Sequence, residues 1–425
     1  MSYLIECGVN AKKASKVLNS LTDEQINIAL KRVATLIREN AQFIKEENAK
    51  DIALATEKGA TPAYIDRLTL TDSVIEAMAE GVEQVADLTS PRNTIEYSYV
   101  NEKQGISIEK RRVPFGVIGI IYESRPNVTA DAFALCFKTA NAVMLRGGSD
   151  SINSNLAIEK IVKQGLKECA IDENAITVLK DTSRQTALEF MRLNKYIDLL
   201  IPRGGASLIS TALENATVPI IETGKGNCHV YVDEFANVEM AVKVIFNAKT
   251  QRYSVCNACE SLVIHEKILD KALPLIAQKL SEKQVEIRCD ESAYNVIKEY
   301  NNVTCACEED FYTEYGGAII SVKTVKSLQQ AIEHINEHST AHSESIITEN
   351  QDNANEFING IDSACVYHNA STRFSDGFVF GLGAEVGIST QKLHARGPMG
   401  LNALVTTKYV TKGNEIGRAS CRERV

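Results

Sequence analysis

Apolar residues behind Thr22 return every three to four positions: Ile26, Leu30, Val33, Leu36 and Ile37 fall on one face of a helix. Thr22 and Gln25 stand at capping-box spacing in front of them. Gly59-Ala60-Thr61-Pro62 interrupts the pattern, and a second helix is predicted around Val74, Ile75, Met78 and Val82 until Ser90-Pro91 stops it. The period then shortens. Ile95 to Val100 and Ile106 to Arg112 read as strands on either side of Asn101-Glu-Lys-Gln-Gly105, a β-hairpin.

From there short apolar runs alternate with helical patterns. Strands are expected at Gly116 to Ile121, Ala142 to Leu145, Ile176 to Leu179 and Ile197 to Ile201. Helices are expected at Asp131 to Thr139, Asn153 to Ala170 and Thr186 to Met191. Strands that are apolar on both faces and alternate with helices imply a parallel sheet covered on both sides. A second α/β unit is read from Cys228 to Ser371, with strands near Val230–Val232, Leu262–Ile264 and Ile319–Val322 and helices near Val238–Ala248 and Leu328–Ile335. The segment Gly377 to Leu404, rich in glycine and polar residues, reads as a surface or subunit-contact segment. The last dozen residues place Arg418, Arg422 and Arg424 around Cys421 with almost nothing apolar to bury, so residues 413–425 are expected to be a foreign or disordered tail.

At 425 residues the chain has room for two or three domains and a large core. Its formal charge of −9 argues against a nucleic-acid partner, although a local cationic pocket for an anionic small substrate remains compatible. No apolar run reaches the length of a membrane span, and the opening residues lack the apolar core of a signal peptide, so a cytoplasmic location and no membrane partner are expected. Eleven scattered cysteines, an odd number, fit reduced thiols better than a disulfide framework.

The chemistry concentrates around Gln251-Arg-Tyr-Ser-Val-Cys256-Asn-Ala258, preceded by Ile221-Glu-Thr-Gly-Lys-Gly-Asn-Cys-His229. A cysteine between apolar segments, after a glycine-rich turn bearing a carboxylate, suggests a nucleophilic thiolate, with Arg252 as a nearby cation; an inert core cysteine is the plain alternative. Cys256-Asn-Ala-Cys259 with Cys305-Ala-Cys307 also raises zinc or dithiol chemistry, but the pairs match zinc spacing poorly and no metal site is expected. His334, His338 and His342 have helical spacing without companion carboxylates and read as a solvated helix end. Two turns end buried strands and precede helices: Arg146-Gly147-Gly148 and Pro202-Arg203-Gly204-Gly205, on strands read as neighbours. Such turns bind phosphates, and Arg146 suits a 2′-phosphate, although Asp150 weakens that point; ordinary strand–helix turns remain the alternative. Asn127, after Pro126, could offer an amide N–H to an oxyanion, and Arg396, beside His394, could bind a carboxylate or phosphate.

Taken together, Tyr122-Glu-Ser-Arg-Pro-Asn-Val-Thr129, Leu145-Arg-Gly-Gly148, Ile201-Pro-Arg-Gly-Gly205, Ile221-Glu-Thr-Gly224, Gly226-Asn-Cys-His229, Ser254-Val-Cys-Asn-Ala258, His342-Ser-Glu344, Asn369-Ala-Ser-Thr-Arg-Phe374 and Gly383 to Gly400 resemble the γ-glutamyl phosphate reductase family of the aldehyde dehydrogenase superfamily. The resemblance covers nearly the whole chain up to about Asn414. It implies an aldehyde dehydrogenase-like α/β fold of two parallel-sheet, Rossmann-like domains plus a small β-hairpin oligomerisation flap. The cofactor domain would be residues 1–93 and 113–227, the catalytic domain 228–376, and the flap 94–112 and 400–412. It also implies NADPH-dependent reduction of L-glutamyl 5-phosphate to glutamate 5-semialdehyde and phosphate, a homo-oligomer, and contact with the upstream glutamate 5-kinase. By the same resemblance Cys256 is the nucleophile, Asn127 an oxyanion donor and Glu222 the counterpart of a general base. Arg146, Gly147, Gly148, Gly204, Gly205 and Glu314 would hold the cofactor, Glu314 at its nicotinamide ribose, and Arg125, Arg373 and Arg396 the substrate. A hydrolytic or CoA-dependent aldehyde dehydrogenase is the alternative within the fold. A metal- or redox-regulated binding protein using Cys256, Cys259, Cys305 and Cys307 is the alternative outside it.

Overall fold

The structure of the protein is a computed structural model that describes residues 2–123 and 125–413. Its contacts divide the chain into two compact units. The first holds the residues up to Ile201, Glu214–Ile220 and those from Gly400 on; the second holds Pro202–Leu213 and Ile221–Met399.

The first unit opens with helices Tyr3–Leu18, Asp23–Glu39, Ala41–Glu57, Pro62–Leu68 and Asp72–Asp87. The capping box is present, with Thr22 and Gln25 each accepting the other's backbone N–H. The helix Tyr3–Leu18 has no strong apolar stripe because small Ala11 and Ala14 line its buried face between Leu4 and Leu18. Four strands follow in the order Ile176–Val178, Ala142–Arg146, Val117–Tyr122, Leu199–Arg203. Val117–Tyr122 is buried along its whole length and runs parallel to Ala142–Arg146, with Val117 opposite Ala142. The strands ending at Arg146 and Arg203 are therefore not neighbours, contrary to the expectation from sequence. The most apolar strand, Val117–Tyr122, takes the central place where both faces are covered.

The hairpin pairs Ile95–Asn101 with Ile106–Pro114, and Val405–Gly413 adds a third antiparallel strand, Val405 opposite Pro114. Gly413 continues that strand instead of opening a tail. The rest of the expected tail, residues 414–425, lies outside the described residues.

The second unit is built on seven parallel strands in the order Val303–Cys305, Glu286–Cys289, Ile319–Val325, Cys259–His265, Cys228–Val232, Ser343–Ile347, Cys365–His368. The two central strands, Cys228–Val232 and Cys259–His265, are buried throughout. The unit boundary falls at Ile221, not at residue 228, because the intervening segment bonds inside this unit. The Thr223 hydroxyl donates to Pro202 O at 2.8 Å, and Asn227 Nδ2 to Phe311 O at 2.7 Å and His338 O at 2.9 Å. The segment after Gly377, read as a surface or subunit-contact stretch, is mixed: Phe378, Val379, Phe380 and Leu393 are exposed, whereas Val386, Ile388 and Met399 are buried, the Val386 N–H donating to Met399 O and the Met399 N–H to Gly387 O.

Candidate active site

Cys256 stands on the loop that joins the helix Val238–Thr250 to the central strand Cys259–His265. Two neighbours hold its main chain. Gly226 lies flat against it: a Cβ at position 226 would stand 1.3 Å from the Cys256 carbonyl oxygen. The buried Cys228 thiol donates to that same oxygen at 3.1 Å. Asn257, the next residue, donates from Nδ2 to Ser375 O at 2.9 Å, accepts from the Arg373 guanidinium on its Oδ1, and accepts the Thr372 hydroxyl on its backbone carbonyl at 2.8 Å. Arg373 also donates to Gln251 Oε1 at 2.8 Å. The loop is thus clamped on both sides of the thiol, as a nucleophile must be if its attack geometry is to survive thermal motion.

Burial pushes the Cys256 thiol up to about 11, while the positive charge of Arg203 pulls it down and Glu314 and Glu385 push it further up. The cations acting on the thiol are therefore Arg203, at the end of a strand, and Arg373, rather than Arg252, the cation nearest in sequence, which is exposed. Neither Arg203 nor Glu385 stands out from the sequence as acting on the thiol. The available signal was position: Arg203 precedes a Gly-Gly turn, and Glu385 lies within a glycine-rich repeat. Burial beside Asp376 raises the Glu385 carboxyl to about 7, against the pull of Arg203.

Glu222 is half-buried, four residues before Gly226, with its backbone N–H held by Gln391 Oε1 at 3.1 Å. Gly204 and Gly205 follow Arg203 as an exposed turn into the helix Ala206–Asn215. Glu314 is half-buried in the loop before Ile319–Val325 and acts electrostatically on both Cys256 and Glu260. Beneath that loop Lys249 and Glu260 form a fully buried ion pair, and Glu260 Oε1 accepts from the Gly316 backbone N–H at 3.3 Å. Arg396 is committed to Asp362, 2.9 Å from its Oδ1. That carboxylate, which Lys392 also contacts, occupies the charge that sequence assigned to a substrate.

The remaining candidates lie in the first unit. Asn127 precedes the helix Val128–Lys138, and its Nδ2 donates to Asp131 Oδ2 at 3.2 Å. Arg125 is exposed two residues earlier. Arg146 donates to the carbonyl of Thr182, and its buried Nε has no hydrogen-bond partner among the described residues. The following Gly147-Gly148 turn leads into Ser149–Ser151 and the helix Ile152–Glu168. Asp150 bonds the Tyr64 hydroxyl at 2.7 Å and Lys58 at 3.1 Å. Its charge is partly neutralised and a further cation stands beside the turn. A guanidinium bonded to carbonyls, a glycine turn and a helix start form a place where a phosphate group could be held.

Among the described residues the candidate cysteines do not come together. Cys259 is buried on a central strand opposite Cys228, whereas Cys305 pairs with Cys289 at the sheet edge. Two strands intervene between Cys305 and Cys259, a separation of about 14 Å at ~4.8 Å per strand. Among the described residues no group of three or more His, Cys, Asp or Glu is placed to hold a metal ion. Among them, too, no helix is long and apolar enough to cross a membrane.

A clamped cysteine beside a seven-stranded parallel sheet, with a second parallel-sheet unit in the same chain, has counterparts among known proteins. Residues 6–296 and 300–410 match the aldehyde dehydrogenase family. The chain belongs to that family and is an oxidoreductase. It is 54% identical over 413 residues to a protein of Lachnospira eligens named gamma-glutamyl phosphate reductase, covering 97% of this chain and 99% of the relative. It is 52% identical over 415 residues to one of the same name from Caldicellulosiruptor saccharolyticus, covering 97% and 99%. The crystal structure of gamma-glutamyl phosphate reductase from Thermotoga maritima superposes with a TM-score of 0.94 at 46% identity, over 99% of this chain and all of that one.

Proposed function

We propose that the protein is a cytoplasmic enzyme that reduces L-glutamyl 5-phosphate to L-glutamate 5-semialdehyde and phosphate with NADPH, through a thioester on Cys256, in the second step of proline synthesis from glutamate. The observation that carries this reading is Cys256 itself: a half-buried thiol on a loop fixed by Gly226, Cys228 and Asn257, facing the charge of Arg203. The names of the relatives supply the substrate.

The chain's own residues then act as follows. Cys256, as thiolate, attacks the acyl carbon of the mixed anhydride; the C–S bond forms and the C–O bond to phosphate breaks. Phosphate leaves without needing a proton from a strong acid. The oxyanion is held by the Cys256 backbone N–H and by Asn127, the latter on the strength of the resemblance. A thiol at about 11 is mostly protonated at neutral pH, so a dianionic substrate arriving without a cation would raise it further. Arg203 opposes that rise, and Arg373 and Arg125 are assigned to the phosphate. Arg396, the third cation assigned to the phosphate, would have to exchange its pairing with Asp362 for it. NADPH supplies hydride when bound; Arg146, Gly147, Gly148, Gly204, Gly205 and Glu314 are assigned to hold it, and Arg146 with Lys58 favours the 2′-phosphorylated form. Phosphate departs in place of hydrolysis, so Glu222 need not act as a base. A homo-oligomer and contact with the upstream glutamate 5-kinase rest on the resemblance alone.

The test is the reverse reaction: glutamate semialdehyde with NADP⁺, with and without phosphate, for wild type and Cys256→Ala. Phosphate-dependent NADPH formation that Cys256→Ala abolishes is expected. Activity without phosphate would instead indicate a hydrolytic aldehyde dehydrogenase, and activity that survives Cys256→Ala would remove the thioester.

A further inference from the structure

The steps above leave one group near Cys256 without a task. Glu385 acts electrostatically on the Cys256 thiol, and so does Arg203. The Gly377 backbone N–H donates to the Glu385 carboxyl, but Oε2 is buried and has no hydrogen-bond partner among the described residues. A buried carboxylate oxygen without a donor is costly, and a folded protein tolerates one where a ligand brings the donor. The turn around it is built for close approach. At Gly387, φ is +147° and a Cβ would stand 1.8 Å from Arg203 Nη1, so only glycine lets the guanidinium lie over the chain two residues from Glu385. Asp376 adds a second negative charge beside Glu385. A carboxylate and a guanidinium that both act on one nucleophile complement a ligand with both an ammonium and an anionic group.

We propose that Glu385 receives the α-ammonium group of the substrate, and so selects an α-amino acyl phosphate over its deaminated analogue. The assignment rests on the thioester reading above and adds to it a recognition residue. The Glu385 carboxyl, raised to about 7 by burial when no cation is bound, regains its charge when an ammonium is seated on Oε2.

A second consequence is chemical. A glutamyl thioester carries its own nucleophile: the neutral α-amine can attack the acyl carbon and close a five-membered lactam. In that step the C–N bond forms, the C–S bond breaks, Cys256 leaves as thiolate, the nitrogen gives up a proton, and 5-oxoproline is released. An ammonium has no lone pair for this attack. By holding the group protonated, Glu385 keeps the thioester for hydride transfer.

The experiment charges Cys256 with glutamate semialdehyde and NADP⁺ in the absence of phosphate. It records the NADPH burst, then measures glutamate and 5-oxoproline by mass spectrometry for wild type, Glu385→Gln and Glu385→Asp. Relative to the burst, 5-oxoproline is expected to rise at least about tenfold in Glu385→Gln, the lower end of what a charge-assisted hydrogen bond contributes, and to stay near the wild-type share in Glu385→Asp. In steady state with phosphate, wild type is expected to use 5-oxopentanoate, which lacks the amino group, about ten- to hundred-fold less efficiently in kcat/KM, and Glu385→Gln to close that gap. A normal burst with an unchanged 5-oxoproline share and an unchanged gap would overturn the assignment. Wild type alone decides it if the variants do not fold: equal kcat/KM for the two aldehydes overturns it. Absence of any burst in wild type overturns the thioester reading itself, a different result, and the assignment falls with it.

Discussion

Gly226→Ala is the sharpest perturbation the structure offers. The added methyl would stand 1.3 Å from the Cys256 carbonyl oxygen, 2.2 Å from its carbonyl carbon and 2.7 Å from its Cα. An ordinary contact to such atoms is about 3.5 Å, so the two segments must part by about 2 Å. The obstructing atoms are main chain, so no side-chain rotation relieves the overlap, and the Cys256 loop is itself held by Cys228 and Asn257. A displacement of ~1 Å at reacting atoms costs roughly a hundred-fold in rate, so a loss of at least about a hundred-fold in kcat is expected. Overpacking of this kind costs about 3 kcal/mol or more. For a unit of this size that is about 6–12 °C in Tm. The assay is phosphate-dependent NADP⁺ reduction together with iodoacetamide alkylation of Cys256, followed by peptide mapping and a thermal melt. Wild-type turnover at an unchanged Tm would show that the 226–256 contact does not fix the nucleophile, and the positioning argument would be wrong.

Other outcomes follow from the same geometry. With its thiol near 11, Cys256 in the free protein should alkylate about tenfold faster for each pH unit between 7 and 10, and a plateau below pH 8 would contradict the balance of burial over Arg203. Lys249→Met leaves Glu260 buried without its partner and should cost about 3–5 kcal/mol by urea denaturation, with Lys249→Met/Glu260→Leu recovering much of it; a loss below 1 kcal/mol would refute the burial of that pair. The folded state keeps a proton on Glu385 up to about pH 7 that the unfolded chain releases near pH 4.5, so this group lowers stability as pH rises through that window. Glu385→Gln should flatten the fall, and melts between pH 4.5 and 7.5 check it. Asn257→Ala removes the bonds to Arg373 and Ser375 and should slow turnover about ten- to hundred-fold with a smaller change in Tm; equal stability loss and full activity would show the clamp to be structural only.

Local pattern carried far in this chain. The helix behind Thr22, the hairpin turn at Asn101–Gly105, the strand Val117–Tyr122 and the Leu262–Ile264 part of Cys259–His265 are legible because each depends on residues close in sequence: a cap, a turn, a short apolar run. Three kinds of element were not. The helix Tyr3–Leu18 hides its buried stripe behind alanines. The edge strand Val303–Cys305 and its neighbour Glu286–Cys289 are only three and four residues long and partly polar, too short to show a period. The helix Glu266–Ser281 carries Pro274 in its interior, which the local rules count against a helix.

The site divides along the same line. Cys256, Glu222, Asn127 and the two glycine turns stand out as candidates by residue type and neighbours, since the pattern of a nucleophile or a phosphate turn spans only a few positions. What surrounds the thiol could not. Arg203, Gly226, Asn257, Arg373 and Glu385 are separated by up to about 180 residues in the chain, yet all bear on Cys256 or its loop. Their meeting depends on the order of seven strands and on a segment after Gly377 that folds back into its unit through Val386, Ile388 and Met399. Sequence alone determined which chemistry the chain could attempt. The tertiary structure decided which charges reach the thiol, because charge acts through distance and burial, and neither is set by position along the chain.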